Sequence, residues 1–270
     1  MNTKKRITAT LWLCIALILC LVSAIGASLV QNGFGSITVK ELSWETQSGA
    51  KLNALLLIPE NASVETPAPA IVCSHGWYNN KEMQDLNYIE YARRGFVTMS
   101  INMYGHGDSD DLPDGTWWSP EHNANGMYDA VKLLADLPYV DASRIGVTGH
   151  SNGAQASREA VFLDNEAETP LIAACLLVSN DPIFTEENTM IGGTGKRRIY
   201  VTANDTYFNM FGNRDAGVVA CKYDEFMHGA GLEDGSYSSP RDYIHQVTAQ
   251  SFLYFGTDPT GQPERSSYTL

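Results

Sequence analysis

The ten residues RIGVTGHSNG, at positions 144–153, decide the fold class of this chain. The first five form a short apolar strand, and the next five have the pattern Gly-x-Ser-x-Gly centred on Ser151. Small residues then open a segment with helical spacing, residues 152–163. A strand, a tight glycine-flanked turn and a helix in this order are typical of a nucleophile elbow, because side chains at the flanking positions would collide. An ordinary glycine-rich turn is the alternative interpretation.

A second turn, SHGW at residues 74–77, directly follows another short apolar strand. A serine nucleophile needs an oxyanion hole, which takes one backbone N–H from the residue after the serine and one from a second loop. The expected donors are therefore Asn152 and, on this loop, Trp77. His75 is predicted to order the loop through its imidazole instead of acting as a base.

Strands that alternate with helices along the chain predict an α/β fold, with a mostly parallel sheet and helices on both of its faces. An antiparallel hairpin is expected at one edge of the sheet. The predicted strands are 36–44, 51–58, 70–73, 96–101, 144–148 and 171–179, and the predicted helices are 81–94, 125–137 and 152–163.

Four motifs together resemble the α/β-hydrolase superfamily, nearest to its dienelactone-hydrolase and prolyl-peptidase-like esterase branches. They are SHGW at 74–77, YGHGDS at 104–109, DASRIGV at 141–147 and GHSNG at 149–153, and the resemblance covers about residues 36–179. It implies a triad of serine, acid and histidine in that chain order, with no metal ion and no organic cofactor.

The acid of such a triad is expected just past the strand that follows residues 171–179, and two segments qualify. Residues 199–203 are apolar and lead to Asp205, whereas residues 217–222 lead to Asp224. The second segment is the more strongly apolar strand. The sequence therefore favours Asp224, with Asp205 as the alternative.

Two histidines, His228 and His245, are candidates for the base. His228 fits only with Asp205 as the acid, because it follows Asp224 by four residues and leaves no room for a further strand and helix. His245 falls inside a predicted amphipathic helix, residues 242–255.

A third hypothesis places the catalytic histidine beyond Leu270. Residues 31–270 would then be an α/β-hydrolase domain that is incomplete at its C-terminus. Residues 1–30 are predicted to be a cytoplasmic basic flank and a transmembrane signal anchor.

The apolar run from Ile7 to Val30 follows the basic residues Lys4, Lys5 and Arg6. At about 1.5 Å per residue it reaches roughly 36 Å, enough to cross a ~30 Å hydrocarbon core. A cleaved signal peptide is the alternative, but its apolar region is normally shorter. The basic flank stays in the cytoplasm, so we expect a single-pass membrane protein whose catalytic domain is extracytoplasmic.

Net charge and cysteine spacing argue against nucleic-acid binding, a zinc site and a cysteine nucleophile. The formal net charge of −13, from 31 acidic and 18 basic residues, repels phosphate backbones, so no nucleic acid is expected as a partner. The five cysteines have neither CxxC nor Cys/His metal spacing, which argues against a zinc site and a cysteine nucleophile.

These patterns predict a membrane-anchored serine hydrolase that cleaves a small-molecule carboxylic ester, or less readily a peptide, through an acyl-enzyme on Ser151. The alternatives are a catalytically inactive hydrolase-fold module that binds ligands at the cell surface, and an acyltransferase. Five aromatic residues near the expected mouth are interpreted as a substrate wall, as a membrane-facing lip or as loop packing. They are Trp77, Tyr78, Tyr104, Trp117 and Trp118.

Overall fold

A computed structural model describes residues 3–83, 87–115, 120–180, 182, 210–220, 244–245 and 247–265. The helices are α1 (Thr3–Gln31), α2 (Asn87–Arg93), α3 (Pro120–Ala135), α4 (Asn152–Asn165) and α5 (Val247–Leu253). The strands are β1 (Ile37–Glu45), β2 (Lys51–Pro59), β3 (Ala68–Ser74), β4 (Val97–Ile101), β5 (Val140–His150), β6 (Ile172–Val178) and β7 (Asp215–Val219).

These strands form one sheet in the order β1-β2-β4-β3-β5-β6-β7. The strands from β3 onward run parallel to one another, while β2 is antiparallel to both β1 and β4. The predicted mostly parallel sheet with an antiparallel hairpin at one edge is therefore confirmed.

Helices cover both faces of the sheet, as predicted, and β3 shows why. Its neighbouring residues Val72 and Cys73 are fully buried, yet they belong to different apolar clusters because successive side chains of a strand point to opposite faces. Val72 shares its cluster with Met127 and Val131 of α3, and Cys73 shares its cluster with Tyr88 of α2.

Several element boundaries differ from the prediction, and the start of α2 differs most. The helix expected over residues 81–94 is observed only as Asn87–Arg93, and residues 81–83 form a turn. Lys81 is held in that turn because its N–H donates to the side chain of Asn102, over 2.7 Å. The strand expected at 217–222 is β7, and the one expected at 199–203 lies outside the described residues.

Helix α1 is exposed along the part whose side chains are described. Its 26 residues from Arg6 to Gln31 are long and apolar enough to cross a membrane. A signal sequence near the N-terminus passes the same test of length and composition.

A buried carboxylate in the last turn of α4 connects several elements of the fold. Asp164 is fully buried and accepts hydrogen bonds from Arg214 (2.7 Å), the hydroxyl of Tyr128 (3.0 Å) and the backbone N–H groups of Leu171 (2.7 Å) and Ile172 (3.0 Å). Burial and the neighbouring Asp164 raise the pKa of Tyr128 to about 12. This group fixes α3, α4 and the start of β6 to the segment before β7.

We expect Asp164→Asn to lower the free energy of unfolding by about 3–5 kcal/mol, because it leaves a largely buried guanidinium without its counter-charge. Asp141→Asn is the matched control, since Asp141 pairs with an exposed Arg144 and such pairs contribute about 1 kcal/mol or less. Urea unfolding followed by tryptophan fluorescence measures both. Equal losses in the two variants would contradict the structural role given to Asp164.

Candidate active site

Ser151 occupies the turn between β5 and α4 in a backbone conformation that few non-glycine residues adopt. Its φ is 54° and its ψ is −113°, outside the regions where L-residues are relaxed. Such a residue costs about 1–3 kcal/mol, which the surrounding structure must offset. The Ser151 side chain makes no capping hydrogen bond to the helix that it precedes. The turn therefore places Ser151, a partly exposed residue, at the N-terminus of α4.

The two glycines of the GHSNG motif are required by contacts with backbone. A Cβ on Gly149 would lie 2.2 Å from the carbonyl carbon of Gly153, and a Cβ on Gly153 would lie 2.2 Å from the carbonyl oxygen of Ser74. The sequence pattern predicts a collision between side chains at these two positions. The structure shows instead that each side chain would collide with main chain, that of residue 149 with the first turn of α4 and that of residue 153 with strand β3.

Hydrogen bonds fix the turn to the ends of two further strands. The N–H of Ser151 donates to the carbonyl of Val178 at the end of β6 (2.9 Å), and the side chain of Asn180 donates to the carbonyl of Ser151 (3.0 Å). The N–H of Ser179 in turn donates to the carbonyl of Val219 at the end of β7 (2.9 Å). The chain that leaves β7 therefore starts beside the serine turn.

The loop of residues 74–77 passes directly over the serine turn. A Cβ on Gly76 would lie 2.9 Å from Nδ1 of His150 and 3.5 Å from Cβ of Ser151. Trp77, the next residue, is half-buried, and Asn152 is the first residue of α4. The structure thus brings the chain segments of the two expected oxyanion donors together at Ser151.

His75 orders this loop, as predicted. It is fully buried, its Nδ1–H donates to the carbonyl of Gly76 (2.7 Å), and its Nε2 accepts from the N–H of Met103 (3.1 Å). Burial lowers the pKa of His75 to about 4, with a smaller contribution from His106. A neutral imidazole with both nitrogens engaged is a structural bridge between the loops after β3 and β4.

Lys81 makes a second bridge between the same loops. Its ammonium group is almost fully buried and contacts Asp108 (2.7 Å), Glu41 (3.1 Å) and Glu82 (3.1 Å). Burial alone would lower the pKa of Lys81, but the hydrogen bonds to these carboxylates raise it above its usual value. This group is not predictable from the local sequence, because a lysine at the start of a predicted amphipathic helix is expected to lie in solvent.

The aromatic residues expected at the mouth have different environments. Tyr104 is 1% exposed and its hydroxyl contacts Thr46 at 2.5 Å, so it is a core residue and cannot form a substrate wall. Tyr78 is 83% exposed. Trp117 and Trp118 lie outside the described residues.

The remaining triad candidates are only partly described. Asp224, Asp205 and His228 lie outside the described residues. His245 is exposed and its Nδ1 contacts a carboxylate oxygen of Glu264. It lies in a 3-10 helical segment, residues 244–245, just before α5 and within the amphipathic helix predicted over residues 242–255.

We expect Gly149→Ala to lower the free energy of unfolding by about 2 kcal/mol or more, because the new methyl group meets main chain that has no room to move. Gly146→Ala in the same strand is the control. Its Cβ would have ordinary contacts of 3.7 Å or longer, so we expect a change below about 1 kcal/mol. Urea unfolding of both variants measures the difference, and an equally stable Gly149→Ala protein would contradict the close approach.

Comparison with known proteins assigns this chain to a family. The model of a family described as "Esterase FrsA-like" matches residues 31–192, which contain the serine turn and the loop over it. Among curated proteins, the chain is similar to the thiohydrolase aneE of Aspergillus aculeatus, with 26% identity over 151 residues. That alignment covers 56% of this chain and 45% of the thiohydrolase.

An uncharacterized protein of Pseudomonas aeruginosa is 27% identical over 158 residues, which are 56% of this chain and 42% of that protein. Its crystal structure has a TM-score of 0.47 to this chain, over 53% of this chain and 43% of the other. A bacterial heroin esterase gives a TM-score of 0.46 at 23% identity, over 60% of this chain and 51% of the esterase. The chain spans less than half the length of the two curated relatives.

Proposed function

Because the chain belongs to the FrsA-like esterase family, we propose that it is a serine hydrolase that cleaves a carboxylic ester through an acyl-enzyme on Ser151. The observation that carries the proposal is the strained turn at Ser151, closed by backbone contacts at Gly149 and Gly153. A strained conformation persists only where its surroundings over-determine it, and such residues cluster at active sites. A peptide is the less favoured substrate.

In the proposed reaction, the Ser151 Oγ attacks the carbonyl carbon of the ester while a histidine accepts its proton. The backbone N–H groups of Trp77 and Asn152 hold the oxyanion of the tetrahedral intermediate. Collapse of the intermediate expels the alcohol, which receives the proton from the histidine. Water then attacks the acyl-enzyme by the same route and releases the acid.

Strand β7 supports Asp224 as the acid. It pairs in parallel with β6, and the hydrogen bond from Ser179 to Val219 starts the following loop beside the serine turn. Asp224 comes five residues after Val219, whereas Asp205 precedes β7 in the chain. His245 is the proposed base, and it must exchange its contact with Glu264 for one with the acid.

We also propose that α1 anchors the protein in a membrane, with the domain that follows it on the extracytoplasmic side. The helix is long and apolar enough to span a bilayer, and Lys4, Lys5 and Arg6 precede its apolar run. Basic residues next to a span favour the cytoplasmic side.

A fluorophosphonate probe, which reacts covalently with activated serines, is expected to label the full chain. Ser151→Ala should abolish labelling, whereas Ser143→Ala, at an exposed serine of β5, should leave it unchanged. Labelling is measured by in-gel fluorescence. Labelling that survives Ser151→Ala would refute the assignment, and ester binding without labelling or turnover would favour the non-catalytic binding module.

Substitution of the two candidate acids separates them. We expect Asp224→Asn to lower kcat/KM for an ester by about 10³–10⁴, because the histidine loses the group that sets its tautomer and orientation. Asp205→Asn should stay within about tenfold of the unsubstituted protein, as expected for a residue outside the triad. The reverse order would move the acid to Asp205 and make His228 the base.

A further inference from the structure

We propose that the candidate active site opens on the side of the domain that faces away from the membrane, so that it takes esters dissolved in the aqueous phase and not acyl esters within the bilayer. This inference rests on the proposed function and on the proposed anchor. It follows from the strand register and from the contacts at the end of α1.

The serine turn lies where the parallel strands end. The carboxyl ends of these strands form the upper edge of the sheet and their amino ends form the lower edge, and neither of these is a side strand of the sheet. In the parallel strands β3, β4 and β5, Ser74 pairs with Ile101 and with Gly149, so these three strands end together. Ser151 follows the end of β5, and the loop of residues 74–77 follows the end of β3. All parts of the proposed oxyanion hole therefore belong to the upper edge.

Helix α1, the proposed membrane anchor, joins the domain at the lower edge of the sheet, where the parallel strands begin. Strand β2 is antiparallel to β4, with Ala54 opposite Ile101, so its last residue, Pro59, lies at the edge where β4 begins. Strand β1 is antiparallel to β2, and its first residue, Ile37, pairs with Pro59. Helix α1 ends at Gln31, six residues before Ile37.

Contacts fix the end of α1 against this lower edge. The N–H of Ile37 donates to the carbonyl of Asn32 (3.0 Å), which closes the short connection between the helix and β1. The side chain of Arg93 donates to the carbonyl of Val30, inside α1. Arg93 ends α2 and lies just before β4, at the same edge of the sheet. The connection is therefore short and braced at two points.

The height of the sheet keeps the serine away from lipid. Strand β3 has seven residues, which at about 3.3 Å per residue span roughly 20 Å between the two edges. The ester bonds of a bilayer lipid lie at the boundary of the hydrocarbon core, below a head-group layer of about 5–8 Å. An ester at that depth cannot reach Ser151 while the domain stands on its lower edge.

Charge opposes a domain that lies flat on the membrane. The formal net charge is −13, and three of the 18 basic residues, Lys4, Lys5 and Arg6, lie at the other end of the proposed anchor. The remainder of the chain is thus still more acidic, and it is repelled by any anionic charge on the membrane surface that it faces. Trp77 and Tyr78 beside the site then face water, which favours a substrate wall over a membrane-facing lip.

A molecular ruler tests the inference. The full chain is placed in phosphatidylcholine vesicles with a short-chain umbelliferyl ester attached to a phospholipid head group by a spacer that reaches either about 10 Å or about 40 Å, lengths on either side of the roughly 20 Å strand height. We expect the long-spacer ester to be hydrolysed at least tenfold faster. In excess detergent, where protein and lipid occupy separate micelles, both spacers should react at equal rates.

A chain with 20 Gly/Ser residues inserted between Gln31 and Asn32 is the second arm. A flexible linker of this length spans about 25 Å on average, so the domain can turn over. It should gain hydrolysis of the short-spacer ester and keep its rate on the free ester. Short-spacer hydrolysis as fast as long-spacer hydrolysis in the original chain overturns the inference alone. No turnover of the free ester overturns the proposed function, and the inference with it.

Discussion

The close approach of α4 to β3 is the constraint on which the candidate site depends. The main chain of Gly153 lies so near the carbonyl of Ser74 that a single methyl group cannot fit between them. The turn before α4 must therefore be tight, and Ser151 adopts a positive φ within it. The same approach brings the loop after β3 over the serine. Ser151 and the loop of residues 74–77 are thus positioned by one contact between backbones.

The sheet extends this positioning to the proposed acid. Ser151 is hydrogen-bonded to Val178 and Ser179 is hydrogen-bonded to Val219, so the ends of β5, β6 and β7 are joined in a line. Residues after β7 start from a fixed point beside the serine turn. The chemistry that we propose needs the loop after β7 to bring Asp224 toward Ser151, and it needs His245 to leave Glu264 and contact that acid.

Local patterns predicted much of this architecture, and non-local contacts account for what was missed. The glycines around Ser151 and the apolar strands carry their own signals, because tight turns and buried strands restrict residue type. Lys81 carries no such signal, since one of its partners, Glu41, is forty residues distant in the chain. Asn180 was missed for a similar reason: its contact with Ser151 exists only once β5 and β6 are paired. The contact of His245 with Glu264 was missed because the helical pattern of residues 242–255 does not include Glu264.

The buried imidazole of His75 also makes folding sensitive to acid. Its pKa is about 4 in the folded protein, against the ordinary value of 6.5, so the unfolded chain takes up a proton that the folded chain excludes. This group leaves the free energy of unfolding unchanged above about pH 6.5 and lowers it progressively as the pH falls toward 4, by about 3 kcal/mol in total. Acidic surroundings thus act on the scaffold beneath Ser151, and a strongly acidic compartment is one in which this domain would lose part of its stability.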